Sequence, residues 1–438
     1  MHHDKTGDWW SLTVDNGHAS PGPLRETTDY DITTSEESCR TWLLPSYDEQ
    51  PFVFDELNLQ GGAHLAIAGG DSPDQNTSFS VGRSSGDYSG VFHVGPHQDL
   101  HIDLPPSHPR ASWDVVVYRH GDLHLPADIE IHDVTFELDG QLHGVRNITV
   151  GQGGVVNIRP YTNGSTDVVR TLAFDTIIIR GGGMMVVEGG LEGISLDGNR
   201  FIVQSGGILQ ADHLTITAAE VTVEELGVVD LNHMSVIAGS GHGIRSSGAG
   251  HGGSGGSTDD DLGGAAYGDM LRPSHFGSIG GSEDVRGGGI LHVVASNRIT
   301  IDGSIECDGA PGLHHTGHPT WPSRAGGASG GSILLETMVL AGSGSIHANG
   351  GRGYGTEGSG GGGGRIAVYY WENFFIGQMA TYGGPSSSQE PGAAGTVYTF
   401  RESSEVSQRI GSLRVDNNGQ NVRDVRLVVF IFSLLPAN

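Results

Sequence analysis

One pattern of apolar and polar positions recurs along the chain. Two alternating apolar residues lead into a short polar turn, and two more alternating apolar residues follow it. Six clear copies begin at Val115, Val134, Ile148, Ile177, Phe201 and Val221. Because successive side chains of a strand point to opposite faces, this alternation indicates strands with one buried face. Each copy therefore predicts a strand, a corner and a second strand.

The corners are marked by glycine. The seventh position of every copy is a glycine, so six structural glycines are predicted: Gly121, Gly140, Gly154, Gly183, Gly207 and Gly227. A further copy begins at Leu57 but has Ala63 at that position and Gly62 one residue earlier. Glycine permits either a positive φ or a close approach of two backbones, and a sharp corner needs one of the two.

Two arrangements of these strands compete. The six copies begin 19, 14, 29, 24 and 20 residues apart, about the length of one turn of a coiled parallel sheet. A meander of β-hairpins is the alternative, since strand, glycine turn and strand also describe a hairpin. Only Asp139-Gly140 is a two-residue hairpin signal at these corners. We therefore expect an all-β chain that folds as a right-handed parallel β-helix, a solenoid with long glycine-rich side loops.

The predicted solenoid covers residues 51–400. Residues 1–50 form an irregular amino-terminal segment in this interpretation, and residues 401–438 begin a next module and end in an apolar tail. The glycine-rich stretch at about 238–289 is too poor in large apolar residues to bury a face, and we expect a side excursion there.

Two further internal repeats support a modular chain. Beyond the glycine-rich stretch, Gly303-Ser304-Ile305 corresponds to Gly344-Ser345-Ile346. Near the two ends, residues 12–17 (LTVDNG) match residues 413–419 (LRVDNNG). If the second match marks a boundary, the chain covers one module of a longer tandem array.

Composition excludes several classes of function. The chain has 73 glycines among 438 residues, and 23 basic against 51 acidic side chains give a net charge of −28. Lys5 is the only lysine, so neither a Walker A motif nor a kinase lysine is present. The basic patch of nucleic-acid-binding proteins is also missing. We expect no nucleotide and no nucleic acid as a partner, and a charge that attracts cations.

The termini and the cysteines say little about the cellular compartment of the protein. The apolar residues 425–435 are interrupted by Arg426 and Ser433 and fall short of the about 20 residues that span a bilayer. We expect no membrane span. The amino terminus lacks the regions of a signal peptide, so a secreted protein would make this sequence a fragment. Cys39 and Cys307 form no CxxC motif, and whether they pair stays open.

Carboxylates give the candidate metal site. Asp259, Asp260 and Asp261 lie together in the glycine-rich stretch, and oxygen ligands on a flexible backbone suit Ca²⁺. The sequence matches neither an EF-hand loop nor the glycine-rich calcium repeat, so a solvated acidic loop is the alternative. The 22 histidines include no HExxH motif, and we expect loop histidines such as His251 to be exposed.

Three sequons would permit N-glycosylation if the chain is secreted. The acceptor residues are Asn76, Asn147 and Asn163. Glycosylation would place each of them at the surface.

Four segments carry a resemblance to a known family. They are residues 263–269 (GGAAYGD), the paired Gly-Ser-Ile strands, residues 361–370 (GGGGRIAVYY), and residues 392–400 (GAAGTVYTF) with the later LRVDNNG. Over about residues 110–420 the chain resembles the large glycine-rich, parallel β-helix-like proteins, multi-module extracellular or cell-surface proteins of invertebrates, protists and plants. The resemblance implies an extracellular or cell-surface location and a structural or adhesive role. It implies no catalytic residues.

We therefore expect a non-catalytic extracellular structural or adhesive module. Glycans or matrix proteins are its expected partners, and Ca²⁺ is its candidate cofactor. The alternative is a carbohydrate-active enzyme, a polysaccharide lyase or glycoside hydrolase, on the same scaffold. A glycosidase needs two carboxylates about 5 to 9 Å apart, and the sequence does not show which carboxylates face each other. A cluster of two or three carboxylates with an arginine on neighbouring coils would favour the enzyme.

Overall fold

In the computed structural model, the described residues are 9–17, 41–43, 52–67, 77–159 without 106 and 108, 170–313 and 325–420. They form 32 strands and one three-residue 3-10 helix, Val406–Gln408. Almost all strand pairings are parallel. The predicted all-β class is therefore confirmed for this part of the chain.

The strands form four sheets, which we call A to D. Sheet A contains β1 (Ser11–Asp15), β4 (Glu56–Gln60) and β7 (Ser84–Gly86). Sheet C contains β3 (Phe52–Phe54), β6 (Thr77–Val81), β9 (Gln98–Ile102), β11 (Asp122–His124) and β14 (Gln141–His143).

Sheets B and D have twelve strands each and run along most of the molecule. Sheet B contains, in spatial order, β2 (Thr41–Leu43), β5 (His64–Ile67), β8 (Val91–Val94), β10 (Asp114–Val117), β13 (Thr135–Leu138), β16 (Val155–Ile158), β19 (Met184–Val187), β22 (Ile208–Ala211), β24 (Val228–Asp230), β26 (Ser304–Glu306), β28 (Ser345–His347) and β30 (Gln378–Ala380). Sheet D contains β12 (Asp128–Ile131), β15 (Asn147–Val150), β18 (Thr176–Ile179), β21 (Arg200–Val203), β23 (His213–Val223), β25 (Ile290–Ile301), β27 (Ser332–Gly342), β29 (Arg365–Phe375), β31 (Thr396–Arg401) and β32 (Ile410–Arg414), with β17 (Arg170–Ala173) and β20 (Ile194–Asp197) as a side branch.

The two strands of each repeat belong to different sheets. The copy that begins at Ile177, for example, gives β18 to sheet D and β19 to sheet B, and each strand pairs in parallel with its equivalents in the repeats before and after it. The hairpin alternative is therefore wrong for these repeats. The sole antiparallel pairing among the named strands joins β31 to β32 at the carboxyl-terminal end of sheet D.

The core consists of apolar side chains stacked in register. On the inner face of sheet B one row is buried from β10 to β28: Val115, Phe136, Val156, Met185, Leu209, Val229, Ile305 and Ile346. Each repeat thus covers the apolar face of the one before it. The predicted match of the two Gly-Ser-Ile segments is confirmed, because Ser304 pairs with Ser345 and Ile305 with Ile346.

The corner glycines are needed for close approach. Gly207 does not have a positive φ, but a Cβ on it would lie 2.3 Å from the backbone oxygen of Ile179 in the preceding repeat. The positive φ belongs instead to the residue before the glycine at five of the six corners: His120, Gly153, Gly182, Gly206 and Leu226. Of the two explanations offered by the sequence, the close approach of backbones applies to the predicted glycines.

The glycine-rich segments form a bundle outside the sheets. We call this bundle, built from residues 241–256, 326–331, 348–353, 359–364 and 390–395, the glycine bundle. Its backbone hydrogen bonds repeat every third residue. In residues 326–331, the backbone N–H groups of Gly326 and Ser329 donate to the backbone oxygens of Arg245 and Ser278. Those of Gly327 and Gly330 donate to the backbone oxygens of Ser359 and Gly362, and those of Ala328 and Gly331 to the backbone oxygens of Ala310 and Cys307. Three residues per turn is the period of the polyproline II helix.

Only glycine fits at most contacts of the glycine bundle. A Cβ on Gly361 would lie 1.9 Å from the backbone oxygen of Ala328, and one on Gly330 would lie 2.2 Å from that of Ala348. Collagen uses glycine in the same way, where helices pack too closely for a side chain. The stretch at about 238–289 takes part in this hydrogen-bonded packing.

The corner geometry predicts opposite outcomes for neighbouring glycines. Asparagine tolerates a positive φ, and a Cβ on Gly206 would meet its nearest atom at 3.4 Å. We expect Gly206→Asn to lower the free energy of unfolding by at most about 1 kcal/mol. Gly207→Asn, which forces a Cβ against backbone, should cost about 1 to 3 kcal/mol. Urea unfolding of both variants measures this, and equal costs would contradict the close-approach assignment.

Candidate functional site

Three titratable side chains lie side by side on the outer face of sheet B. Asp230 on β24, Glu306 on β26 and His347 on β28 are in register on neighbouring strands, which are about 4.8 Å apart. Asp308 follows β26, and its Oδ1 lies 3.0 Å from Nδ1 of His347. We call these four residues the acidic cluster. The long stretch between β24 and β26 separates its members in sequence.

Asp308 has a structural role in this cluster. Its Oδ1 accepts the backbone N–H of Asn349 in the next repeat at 2.5 Å. Asn232 makes the same contact one repeat earlier, with the N–H of Asp308, and Asn349 makes it one repeat later, with the N–H of Tyr382. Asp308 therefore continues a ladder of side-chain oxygens that cap the corner. Asp230, Glu306 and His347 remain as the part of the cluster that faces solvent.

The cluster shifts the pKa values of two members upward. Burial raises the pKa of Asp230, and the neighbouring charges of Glu306 and Asp308 raise it further. The pKa of His347 is also raised, because its hydrogen bond to Asp308 and the charges of Asp308 and Glu306 outweigh the opposing effect of burial. A carboxyl group whose pKa is raised is a candidate general acid.

A groove borders the cluster on the corner side of sheet B. Its volume is about 720 Å³, and Leu226, Gly303, Gly344 and Ile376 are among the residues that line it. Ser304 lines the groove and donates from its hydroxyl to Oε1 of Glu306 at 2.9 Å. The side chain of Ser304 therefore contacts both the groove and the carboxylate of Glu306.

Aromatic side chains form a second candidate site on the outer face of sheet D. Tyr369 on β29 lies 5.9 Å from Tyr398 and 5.8 Å from Phe400, both on β31, between ring centroids. Trp371 points to the same face of β29 by strand alternation and is 39% exposed. We call these four residues the aromatic platform.

Polar groups border the aromatic platform. The guanidinium carbon of Arg272 lies 5.5 Å from the centre of the Tyr369 ring, within the range of a cation–π contact. Arg272 and His292 both contact Oε1 of Glu336, at 3.3 and 3.0 Å. Burial, above all, raises the pKa of Tyr369 to about 12, so its hydroxyl stays neutral and donates to the backbone oxygen of Leu271 at 2.8 Å.

The loop of residues 267–276 supplies Arg272 and is fixed over sheet D. Nε of Arg365 donates to the backbone oxygen of Tyr267 at 2.9 Å, and the hydroxyl of Ser332 donates to that of His275 at 2.6 Å. These bonds hold the loop at both ends. The platform is therefore bordered by a positioned loop.

A third group of carboxylates surrounds an arginine. Arg159 lies 3.2 Å from Glu188 and 3.7 Å from both Glu137 and Asp139. Two or three carboxylates around an arginine on neighbouring coils are the arrangement that would favour the enzyme alternative. This group meets that description, because its residues come from neighbouring repeats. The guanidinium group forms surface ion pairs with these carboxylates, and such exposed pairs contribute little to stability.

The three predicted metal ligands, Asp259, Asp260 and Asp261, have different surroundings. Asp259 and Asp260 are exposed, whereas Oδ1 of Asp261 lies 3.0 Å from an Arg245 nitrogen. Within the residues that the structure describes, no group of three or more histidine, cysteine, aspartate or glutamate side chains is arranged to hold a metal ion.

The other predicted residues are distributed as follows. Asn147 lies on β15, and its Nδ2 donates to Oδ1 of Asp128 at 2.6 Å. Asn76, Asn163 and Cys39 lie outside the described residues. Cys307 is buried with a free thiol, and burial raises its pKa.

The expectation that His251 is exposed is wrong. This histidine is fully buried in the glycine bundle, where its Nδ1 lies 2.8 Å from the backbone oxygen of Gly330. Burial lowers its pKa to about 3. Glycine-rich surroundings suggested solvent, but here they make a dense backbone packing.

Sequence reasoning did not find the acidic cluster or the aromatic platform. Both depend on register between strands that are far apart in the chain, and apart from the Gly-Ser-Ile match the sequence gives no register. The only signal was the alternation in GRIAVYY and GTVYTF, which places Tyr369 and Tyr398 on the polar face of their strands.

Comparison with known proteins gives no match to a family model, to a curated protein or to a solved structure. In the part of the chain that the structure describes, none of the helices has the length and apolar character needed to cross a membrane.

The raised pKa of Asp230 predicts that its charge destabilises the fold. The folded state keeps the proton to a higher pH than the unfolded state, so the penalty is absent below about pH 4 and complete once pH exceeds the folded pKa. We expect Asp230→Asn, which keeps the acceptor for the N–H of Asn232, to raise the Tm at pH 7 and to have no effect at pH 3.5.

Asp308→Ala is the matched control within the cluster. It leaves the N–H of Asn349 without its acceptor, and we expect a loss of about 1 to 3 kcal/mol. Thermal unfolding at both pH values distinguishes the two variants. A Tm of Asp230→Asn at or below that of the wild type at pH 7 would contradict the assignment.

Proposed function

We propose that this chain is a non-catalytic extracellular structural or adhesive module that binds glycans on its aromatic platform. In this proposal the stacked parallel repeats form a right-handed parallel β-helix, which acts as a rigid support. The observation that carries the proposal is the row of Tyr369, Trp371, Tyr398 and Phe400 on one outer face. The sequon at Asn147, which lies on an outward position of β15, is consistent with a secreted chain.

The chemistry of the platform supports a sugar ligand. An aromatic ring presents an apolar face with a negative quadrupole, and the C–H groups of a sugar ring pack against such a face. Arg272, Glu336 and His292 stand beside the rings and offer charged hydrogen-bonding groups to hydroxyls. Sites that combine apolar surface with a few placed polar groups are typical of small-ligand recognition.

The platform favours binding over cleavage. Glycoside hydrolysis uses two carboxyl groups that flank the bond, and Glu336 is the carboxylate in contact with the platform network. Its Oε1 is engaged by Arg272 and His292. The carboxylate of Asp269 accepts the backbone N–H of Leu271 at 2.7 Å, so it holds the loop.

Glycan binding is tested with the purified chain and a panel of neutral and acidic polysaccharides, with and without Ca²⁺. We expect Tyr398→Ala and Phe400→Ala to weaken binding by roughly two- to tenfold for each ring removed. Tyr88→Ala is the matched control, since Tyr88 is 52% exposed and lies far from the platform in the repeats. Binding that is equal in all three variants would refute the platform as the site.

A carbohydrate-active enzyme is the second candidate function, and the acidic cluster favours it. Asp230 and Glu306 lie on neighbouring strands, a spacing compatible with the about 5 Å between the carboxyl groups of retaining glycosidases. Asp230, whose pKa is raised, would serve as the acid, and Glu306 as the nucleophile. The adjoining groove would hold the sugar.

The enzyme candidate predicts shortened products. Incubation with the same polysaccharides should release oligosaccharides, and Glu306→Gln should abolish release while platform binding persists. Chromatography of the soluble products measures this. Binding without any release, in the wild type as in the variant, leaves the binding module as the function.

A further inference from the structure

A row of outward side chains runs along sheet B where its strands begin. On β16, β19, β22 and β24 this row is apolar, and its members stand in register: Val155, Met184, Ile208 and Val228. On β26, β28 and β30 the row continues as Ser304, Ser345 and Gln378, which line the groove described above. We call this row, together with the groove, the corner surface.

Two exposed apolar side chains stand at the groove. Leu226 and Ile376 are 73% and 85% exposed, and each directly precedes a corner glycine, Gly227 or Gly377. The strands that follow these corners, β24 and β30, are three spacings apart in sheet B, or about 14 Å. Single exposed apolar residues need no explanation, but a pair of them beside an apolar row marks a surface that a partner can cover.

The backbone of Leu226 has a conformation that leucine disfavours. Its φ is 63°, and the same corner position is a glycine in the three preceding repeats: Gly153, Gly182 and Gly206. This left-handed region is open to glycine but disfavoured for a residue with a large side chain. The fold alone would therefore be served better by glycine. An exposed leucine that is kept in such a conformation points to a function of its side chain.

The groove end of the corner surface is acidic. Glu225 and Asp302 are the charged residues that line the groove, and both are exposed. Oδ1 of Asp302 accepts the backbone N–H and the hydroxyl of Ser343 at 3.0 and 3.2 Å, while its other oxygen has no hydrogen bond within the described part of the chain. Asp230 and Glu306 stand in the neighbouring outward row. A positively charged group is therefore attracted to this end.

The length of the corner surface suits an extended polypeptide. From β16 to β30 there are six strand spacings, or about 29 Å, which about nine extended residues can span. A polypeptide can also carry both kinds of side chain that the surface calls for, apolar and basic. A second copy of this chain is a poor partner, because each copy has a net charge of −28 and like charges repel.

We propose that the corner surface is a docking site for an extended basic segment of a partner protein. The segment places large apolar side chains on the apolar row and beside Leu226 and Ile376, and an arginine or lysine at Glu225 and Asp302. The corner surface lies on sheet B and the aromatic platform on sheet D, so the inference does not depend on glycan binding. It also gives the groove a different occupant from the sugar of the second candidate function.

Fluorescence anisotropy of labelled peptides with the full chain tests this docking site. Three peptides of about nine residues alternate arginine with leucine, glutamate with leucine, and arginine with serine. We expect the arginine–leucine peptide to bind at least about tenfold more tightly than the other two, and added salt to weaken its binding by screening the charges. No binding of this peptide, or equal binding of the glutamate–leucine peptide, would overturn the proposal.

Leu226→Gly separates binding from stability. The variant removes the exposed side chain and gives the corner a residue that a positive φ suits, so the Tm should be unchanged or higher. We expect the arginine–leucine peptide to bind about tenfold more weakly, as the loss of one buried leucine predicts. Leu191→Gly is the matched control, because Leu191 is 62% exposed and lies beyond the other end of β19. Wild-type affinity in Leu226→Gly would refute the docking site.

Asp302→Asn tests the charge contact. The amide oxygen of asparagine can still accept the bonds from Ser343, so the corner should keep its structure, while peptide binding should fall severalfold and depend less on salt. Wild-type affinity and salt dependence in this variant would contradict the proposal. A competition with polysaccharides distinguishes the two occupants of the groove. Displacement of the peptide by a polysaccharide would assign the groove to a sugar and overturn the inference, whereas polysaccharide binding without displacement supports it.

Discussion

Backbone hydrogen bonds between successive repeats determine the spacing on which the rest of this structure depends. Parallel strands lie about 4.8 Å apart, so equivalent residues of consecutive repeats stand directly beside each other. At the corners this distance leaves no room for a Cβ on residues such as Gly207. In the glycine bundle the approach is closer still, and Gly361 has a backbone oxygen where its side chain would be.

The same spacing forces like residues into rows. Apolar rows make the core, and the row of Asn232, Asp308 and Asn349 caps one corner with side-chain oxygens. Titratable rows are the costly case, because a charge in one repeat meets a charge in the next. Burial, followed by the charges of neighbouring repeats, raises the pKa of Asp230 and lowers the pKa of His124.

The two candidate sites use different properties of the scaffold. The aromatic platform lies on a long sheet, and Arg365 and Ser332 fix the neighbouring loop, which makes the proposed binding surface rigid. The acidic cluster lies where three short strands bring Asp230, Glu306 and His347 together beside a groove. Binding needs only the rigid surface, while cleavage needs two carboxylates in different protonation states. For this reason glycan binding is the first proposed function and cleavage the second. Asp308, in addition, already has a structural role in the acidic cluster.

The sequence by itself determined the strands, the corners and the positions of the corner glycines, because apolar alternation and turn residues are local signals. It also paired Ser304 with Ser345 correctly, because the Gly-Ser-Ile triplet recurs in both segments. Only the tertiary structure decided that Gly207 serves close approach while Gly206 takes the positive φ. Only the tertiary structure, too, made the glycine-rich stretch a packed bundle that buries His251. Register and packing are relations between distant segments, and the contacts that set them are not encoded in any one segment.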